Sequence, residues 1–139
     1  MKIGVTGTRS GMNEAQFNAV KFHLEHIINN REPGEEMELH HGDCVGVDVE
    51  VAILAKSLGY HIINHPPVKD ELRAFHPSDE FRTPLSYFAR NRKIVDETEM
   101  LFVVPYQNEW QNNGGTWYTH DYAEKKQKPT IVFFPNVHI

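Results

Sequence analysis

The strongest constraint in this sequence is an alternation. Five short β-rich runs, Lys2–Thr6, Met37–His41, Tyr60–Asn64, Met100–Val104 and Pro129–Phe134, are separated by four stretches of helical spacing. Asn13 to Asn29 places Phe17, Val20, Leu24, Ile27 and Ile28 on one stripe, and Val49 to Leu58 ends at Gly59. A third helix is expected from a Thr83-Pro84 start to about Glu97, and a fourth from Gly114-Gly115-Thr116 to about Lys126. Strand–helix alternation of this kind is built as a parallel sheet covered by helices on both faces. The expected fold is therefore α/β, three layers around a mainly parallel sheet, with residues 1–139 as one domain. Residues 66–82 are polar, Pro-broken and without period, and read as a long loop over one sheet edge.

In such sheets ligands sit beyond the carboxyl ends of the strands. Strand one runs into Gly7-Thr8-Arg9-Ser10-Gly11, strand two into Gly42-Asp43-Cys44-Val45-Gly46, strand three into His65-Pro66-Pro67, and strand four reaches Gly114-Gly115-Thr116 after a loop. Three of these edges are glycine-bearing turns that open helices. Glycine lets backbone approach a phosphate, and the first N–H groups of a helix have no partner within it. Arg9 adds a fork-shaped cation, and Thr8 and Ser10 add hydroxyls. The spacing matches neither G-x-G-x-x-G nor G-x-x-x-x-G-K-[ST]. Together the turns predict an anion-binding groove.

Charge narrows the ligand. A net charge of −5 over 139 residues is not that of a protein built to neutralise many phosphates, which argues against long nucleic acid and leaves a mononucleotide open. Cys44 is the only cysteine, so no intrachain disulfide forms. No apolar run approaches the length of a membrane span and no leader pattern follows Met1, so a cytoplasmic protein without membrane contact is expected.

The motifs GVTGTRSG, HHGDCVGVD with the following Ala-bearing helix and LGYHIINHPP, ARNRKIVDETEMLFVVP, and GGTW resemble the SLOG superfamily. This Rossmann-like group holds the LOG phosphoribohydrolases, the DNA-processing protein DprA and YspA-like nucleotide sensors. The resemblance runs through nearly the whole chain and is nearest to the small YspA-like members. It implies a site for a nucleotide-derived small molecule, phosphates on the glycine turns, and at least a homodimer. By the same resemblance Arg90, Asn91 and Arg92 belong to the site, with Arg92 on the arginine side of the pair that cleaves the N-glycosidic bond in LOG enzymes. Those enzymes read P-G-G-x-G-T-x-x-E. Here Thr119 stands where the Glu falls, and no residue separates Gly115 from Thr116. A threonine cannot act as the general acid or steady an oxocarbenium ion. The resemblance thus implies binding, by a sensor or a sponge of a cyclic or ADP-ribose-like signal, over hydrolysis of nucleoside monophosphates. If hydrolysis occurs, Asp121 or Glu124 must replace the missing carboxylate.

The remaining candidates divide between site and scaffold. Asp43, at a strand end, suits acceptance from ribose hydroxyls, while Asp48 suits the helix macrodipole. Cys44 near a helix start needs a paired base to act as a nucleophile. His41 and His65 read as base or ribose contacts, and Trp117, flanked by Trp110 and Tyr118, as a stacking surface or as core. No metal-ligand spacing is present among the nine histidines, so neither a metal nor a cofactor is expected.

Overall fold

The computed structural model describes residues 1–109 and 114–136. Six strands form one all-parallel sheet: β1 (Lys2–Gly7), β2 (Glu38–His41), β3 (His61–Asn64), β4 (Glu80–Phe81), β5 (Met100–Val104) and β6 (Thr130–Val132). Four helices connect them: α1 (Glu14–Asn29), α2 (Val47–Leu58), α3 (Tyr87–Glu97) and α4 (Gly115–Lys125). The strand order is β4-β3-β2-β1-β5-β6, so the chain builds outward on one side of β1 and then crosses to the other. This is the three-layer α/β architecture read from the alternation.

Side-chain alternation along the strands divides the core into two layers. Ile3 and Val5 of β1, Leu39 of β2, Ile62 of β3, and Phe102 and Val104 of β5 pack under α1 and α2 with Val20, Leu24, Val51 and Ala55. Leu101 and Val103 point the other way, against Ile94 and Val95 of α3 and Ala123 of α4. The unbroken apolar run of β5 is thus a strand buried on both faces.

The helix starts reveal a contrast. Asn13 caps α1 through a complete capping box with Gln16. Gly46, Ser86 and Gly114, which precede α2, α3 and α4, provide no side-chain cap.

Two local readings change. The loop over 66–82 carries β4, whose two residues pair in parallel with β3 at the sheet edge. A two-residue strand leaves no periodic signature. Helix α3 begins at Tyr87 rather than at Thr83-Pro84, because Leu85 is held extended: its N–H donates to the Pro66 carbonyl and its own carbonyl accepts from the Val68 N–H.

Candidate functional site

The order of strands reverses between β1 and β5, and in an open parallel sheet the crevice forms beyond that switch point. A cleft of about 550 Å³ lies there. Thr6, Gly7, Thr8 and Arg9 leave β1 on one wall, Pro105, Tyr106 and Gln107 leave β5 on another, and Gly114 to Trp117 open α4 above them. Tyr87, Phe88, Arg90 and Asn91 of α3, with Cys44, Asp48 and Leu72, complete the lining. The volume falls within the range of small-molecule sites.

Local backbone chemistry sets the turn after β1. The Thr8 N–H donates to the Val104 carbonyl, and the Thr8 carbonyl accepts from Val47 N–H at 3.1 Å, which docks the start of α2 against the turn. Gly46 permits this approach: its φ is +93°, and a Cβ there would lie 2.5 Å from the Arg9 carbonyl oxygen. Gly7 serves a related purpose, since a Cβ on it would overlap the Val47 side chain. Arg9 itself is exposed and makes no ion pair or side-chain hydrogen bond among the described residues. It is a cation held at the cleft mouth with its donors open to a ligand.

Arg90 is different. It is 4% exposed, and its Nη1 donates to the carbonyls of Gly42 and His65 while Nε donates to Asn91 Oδ1 at 2.7 Å. Nη2 faces Cys44 Sγ at 3.6 Å. Most of this guanidinium is spent joining the ends of β2 and β3 to α3, leaving one edge toward the cleft. Asp48 folds beneath the same turn, where its Oδ2 accepts from the N–H groups of Gly42 at 3.0 Å and Cys44 at 3.3 Å. Burial pushes its carboxyl up to about 6, opposed most by Arg90. Among the described residues, Asp48 is the sole carboxylate in the cleft lining. Burial, with Asp48 second, pushes the Cys44 thiol up, so it rests as the thiol rather than the nucleophilic thiolate.

Aromatic rings also line the cleft: Phe88 and Tyr106 are 54% and 65% exposed, and Trp117 is buried. Phe88 lies against Tyr118 with ring centroids 4.4 Å apart, so its outer face stays open. The cleft lining therefore combines the uncapped α4 start, an open arginine and exposed aromatic rings.

Of the residues singled out from sequence, Gly7, Thr8, Arg9, Cys44, Arg90, Asn91, Gly114, Gly115 and Thr116 are brought to this cleft. Ser10, Gly42, Asp43, Gly46, Pro66 and Arg92 are not among its lining residues. Asp43 is fully buried and turned away: one carboxylate oxygen accepts from Arg73 Nε at 2.6 Å and the other from His76 N–H at 2.9 Å. Its carbonyl accepts from Ala74 N–H, and Val45 N–H donates to the Leu72 carbonyl, so the turn after β2 clamps the 66–82 segment and presents Leu72 to the cleft. Both Asp43 oxygens are thereby engaged within the protein. Gly42 and Pro66 act through their carbonyls, which accept from Arg90 and from Leu85 N–H. Arg92 Nη1 donates to Tyr118 Oη at 2.7 Å and ties α3 to α4 outside the lining.

Thr119 is 1% exposed and its hydroxyl donates back to the Gly115 carbonyl at 2.7 Å, facing the helix rather than the cleft. Asp121 and Glu124 sit on the outer side of α4 around His120. His41, which burial pulls to about 3, has its ring between Asp43 N–H and Ser78 Oγ. Trp110, Asn112 and Asn113 lie outside the described residues. Sequence reading missed Thr6, Leu72, Tyr87, Phe88, Tyr106 and Gln107 as lining residues, and it gave Asp48 only a helix-dipole role. The exposed aromatic pair at the start of α3 and the strand-end position of Pro105 were the available signals.

No protein-family model and no curated protein matches this sequence. Solved structures do match in fold. The molybdenum cofactor binding protein of Rippkaea orientalis superposes with a TM-score of 0.66 at 22% identity, over 94% of this chain and 74% of that one. The molybdenum cofactor carrier protein of Chlamydomonas reinhardtii gives 0.64 at 22% identity with the same coverages. DprA of Streptococcus pneumoniae gives 0.66 at 16% identity, over 94% of this chain and 49% of that one. The chain shares its fold with these cofactor-carrying and DNA-processing proteins.

Proposed function

We propose that residues 1–139 form a SLOG-type domain that binds, and thereby senses or sequesters, a nucleotide or nucleotide-derived signal at the carboxyl rim of its sheet. The observation that carries this reading is the mixed lining of the cleft. It joins the uncapped start of α4 and the open Arg9 guanidinium, which suit phosphate, with the exposed rings of Phe88 and Tyr106, which suit a base. Proteins of this fold include a carrier and a binding protein for the molybdenum cofactor, which supports small-molecule capture on the same scaffold. Binding without cleavage is favoured because Arg92 is engaged with Tyr118 and because Thr119, Asp121 and Glu124 all lie off the cleft lining. A homodimer belongs to the same proposal. Met12, Phe17 and Ile53 cluster around a shallow hollow on the α1–α2 face, with Phe17 and Ile53 40% and 57% exposed, and such a surface suits a second copy.

The test is retention. The purified chain is mixed with a panel of mono-, di- and cyclic nucleotides and ADP-ribose, separated from free ligand with its mass recorded by light scattering, then denatured for mass spectrometry. One intact nucleotide is expected from the wild type, and at least about tenfold less from Arg9→Ala. Recovery of free base with ribose phosphate would instead establish the hydrolase. No retention of any phosphorylated ligand would sink the nucleotide reading.

A further inference from the structure

On the far side of β2 and β3 from α2 lies a buried polar group that the cleft does not use. His40 and His65 are 0% and 1% exposed, and His40 Nδ1 is 2.8 Å from His65 Nε2. Their protons can be counted. Glu38 Oε1 stands 2.8 Å from His40 Nε2, and an ionised carboxylate only accepts, so His40 carries its proton on Nε2 and presents a lone pair at Nδ1. His65 must then donate from Nε2, which leaves a lone pair on its Nδ1. That lone pair faces Glu97 Oε2 at 3.8 Å. This oxygen is buried without a hydrogen-bond partner, while the other Glu97 oxygen accepts from Arg82 Nε at 3.0 Å.

Two electron pairs therefore confront each other across a gap too long for a hydrogen bond. A cation seated between them would resolve the conflict, since an imidazole lone pair and a carboxylate are both metal ligands. Two donors about 2 Å from one tetrahedral ion stand roughly 3.3 Å apart, so the 3.8 Å gap closes by about half an ångström on loading.

We propose that His40, His65 and Glu97 form a binding site for one divalent transition-metal ion of the zinc type. One donor atom from each lies within 4.8 Å of the others. Two imidazoles and a carboxylate make a donor set that zinc accepts with a fourth position left for water. Glu97 Oε2 and His65 Nδ1 already face the ion, and His40 Nδ1 joins as the ring–ring hydrogen bond opens on loading. The outer partners are in place: Glu38 accepts from His40 Nε2–H, and Arg82 orients Glu97, as outer groups do in metal centres. Glu97 is the most exposed of the three, with 24% of its side chain open, and provides the way in. The site is independent of the nucleotide reading. The three ligands come from β2, the end of β3 and the end of α3, so no local spacing in the sequence announces them.

The test uses the full chain stripped with a chelator, then titrated with Co²⁺ and separately with Zn²⁺. About one equivalent of Co²⁺ is expected to bind with the visible bands of a four-coordinate ion, Zn²⁺ is expected to displace it, and either metal should raise Tm. Glu97→Gln should weaken binding more than about tenfold, and Glu38→Gln by about tenfold through the lost outer partner. Absence of stoichiometric Co²⁺ binding to the wild type overturns the proposal. So does binding that survives Glu97→Gln but is lost in His61→Ala, which would place the ion on the exposed His61, Asp79 and Glu80 group.

Discussion

Replacing Asp48 with Asn should make the protein more stable at neutral pH while removing a charge from the cleft. The carboxyl rises from its ordinary 3.8 to about 6, first because it is buried, with Arg90 the main opposing influence. At about 1.4 kcal/mol per pH unit, that gap is worth at most about 3 kcal/mol. The sign follows from where the proton sits. Between about pH 4 and pH 6 the unfolded chain has ionised at Asp48 while the folded chain keeps the proton. The group's stabilising contribution is therefore complete below 3.8, falls as pH rises through about 6, and is absent above it. An Asn at 48 keeps an oxygen for the N–H groups of Gly42 and Cys44 and has nothing to ionise. Relative to wild type, Asp48→Asn should gain up to about 3 kcal/mol between pH 4 and pH 7, or roughly 10 °C in Tm for a chain of this size. Thermal unfolding of both proteins from pH 4 to pH 8 at constant ionic strength measures the difference. A difference that stays flat across that window, or grows in favour of the wild type, refutes the argument that desolvation dominates at Asp48.

Two further perturbations separate scaffold from site. Gly46→Ala forces a Cβ onto a residue with φ of +93° and into the Arg9 carbonyl, and should cost about 3 kcal/mol or more in urea denaturation. An unchanged midpoint would mean that α2 is not docked through the Thr8 carbonyl. Asp43→Asn keeps an acceptor for His76 N–H but removes the charge facing Arg73. Tryptic cleavage after Arg73 should quicken by about tenfold with little change in global unfolding, since the loss is local. Equal cleavage rates would show that backbone pairing alone holds the segment.

Much of the scaffold was legible because its signals are local and repeated. Helical stripes such as Val20-Leu24-Ile28, the apolar run of β5 and the glycine turns report their surroundings within a few residues. The cleft was legible where it is built from a strand end, as at Gly7–Arg9, or a glycine-led helix start, as at Gly114–Thr116. Asp43 and Asp48 show where that kind of reading stops. Asp43, in the turn after β2, has φ of +59° and reaches back to Arg73, while Asp48, at the start of α2, tucks under that turn into the cleft lining. Position in space, not residue type, separates the two. Ser86 as the start of α3 was hidden for a similar reason, because pairing of Leu85 with Pro66 and Val68 overrides the proline signal at Pro84. The His40, His65 and Glu97 group depends on three elements meeting in space, and it has no one-dimensional trace at all.

The pairing of β1 with β5 has a consequence for how this chain reaches its working state. The two walls of the cleft leave strands whose partners are Ile3 with Met100 and Gly7 with Val104, residues from opposite ends of the polypeptide. Closing so large a loop is among the slow steps of folding, and no hairpin precedes it in an all-parallel sheet. Partly assembled chains thus lack the cleft altogether, however much of β1, β2 and β3 they have formed. A ligand bound across the switch point would select only completed molecules, and its concentration would set how long each survives against proteolysis.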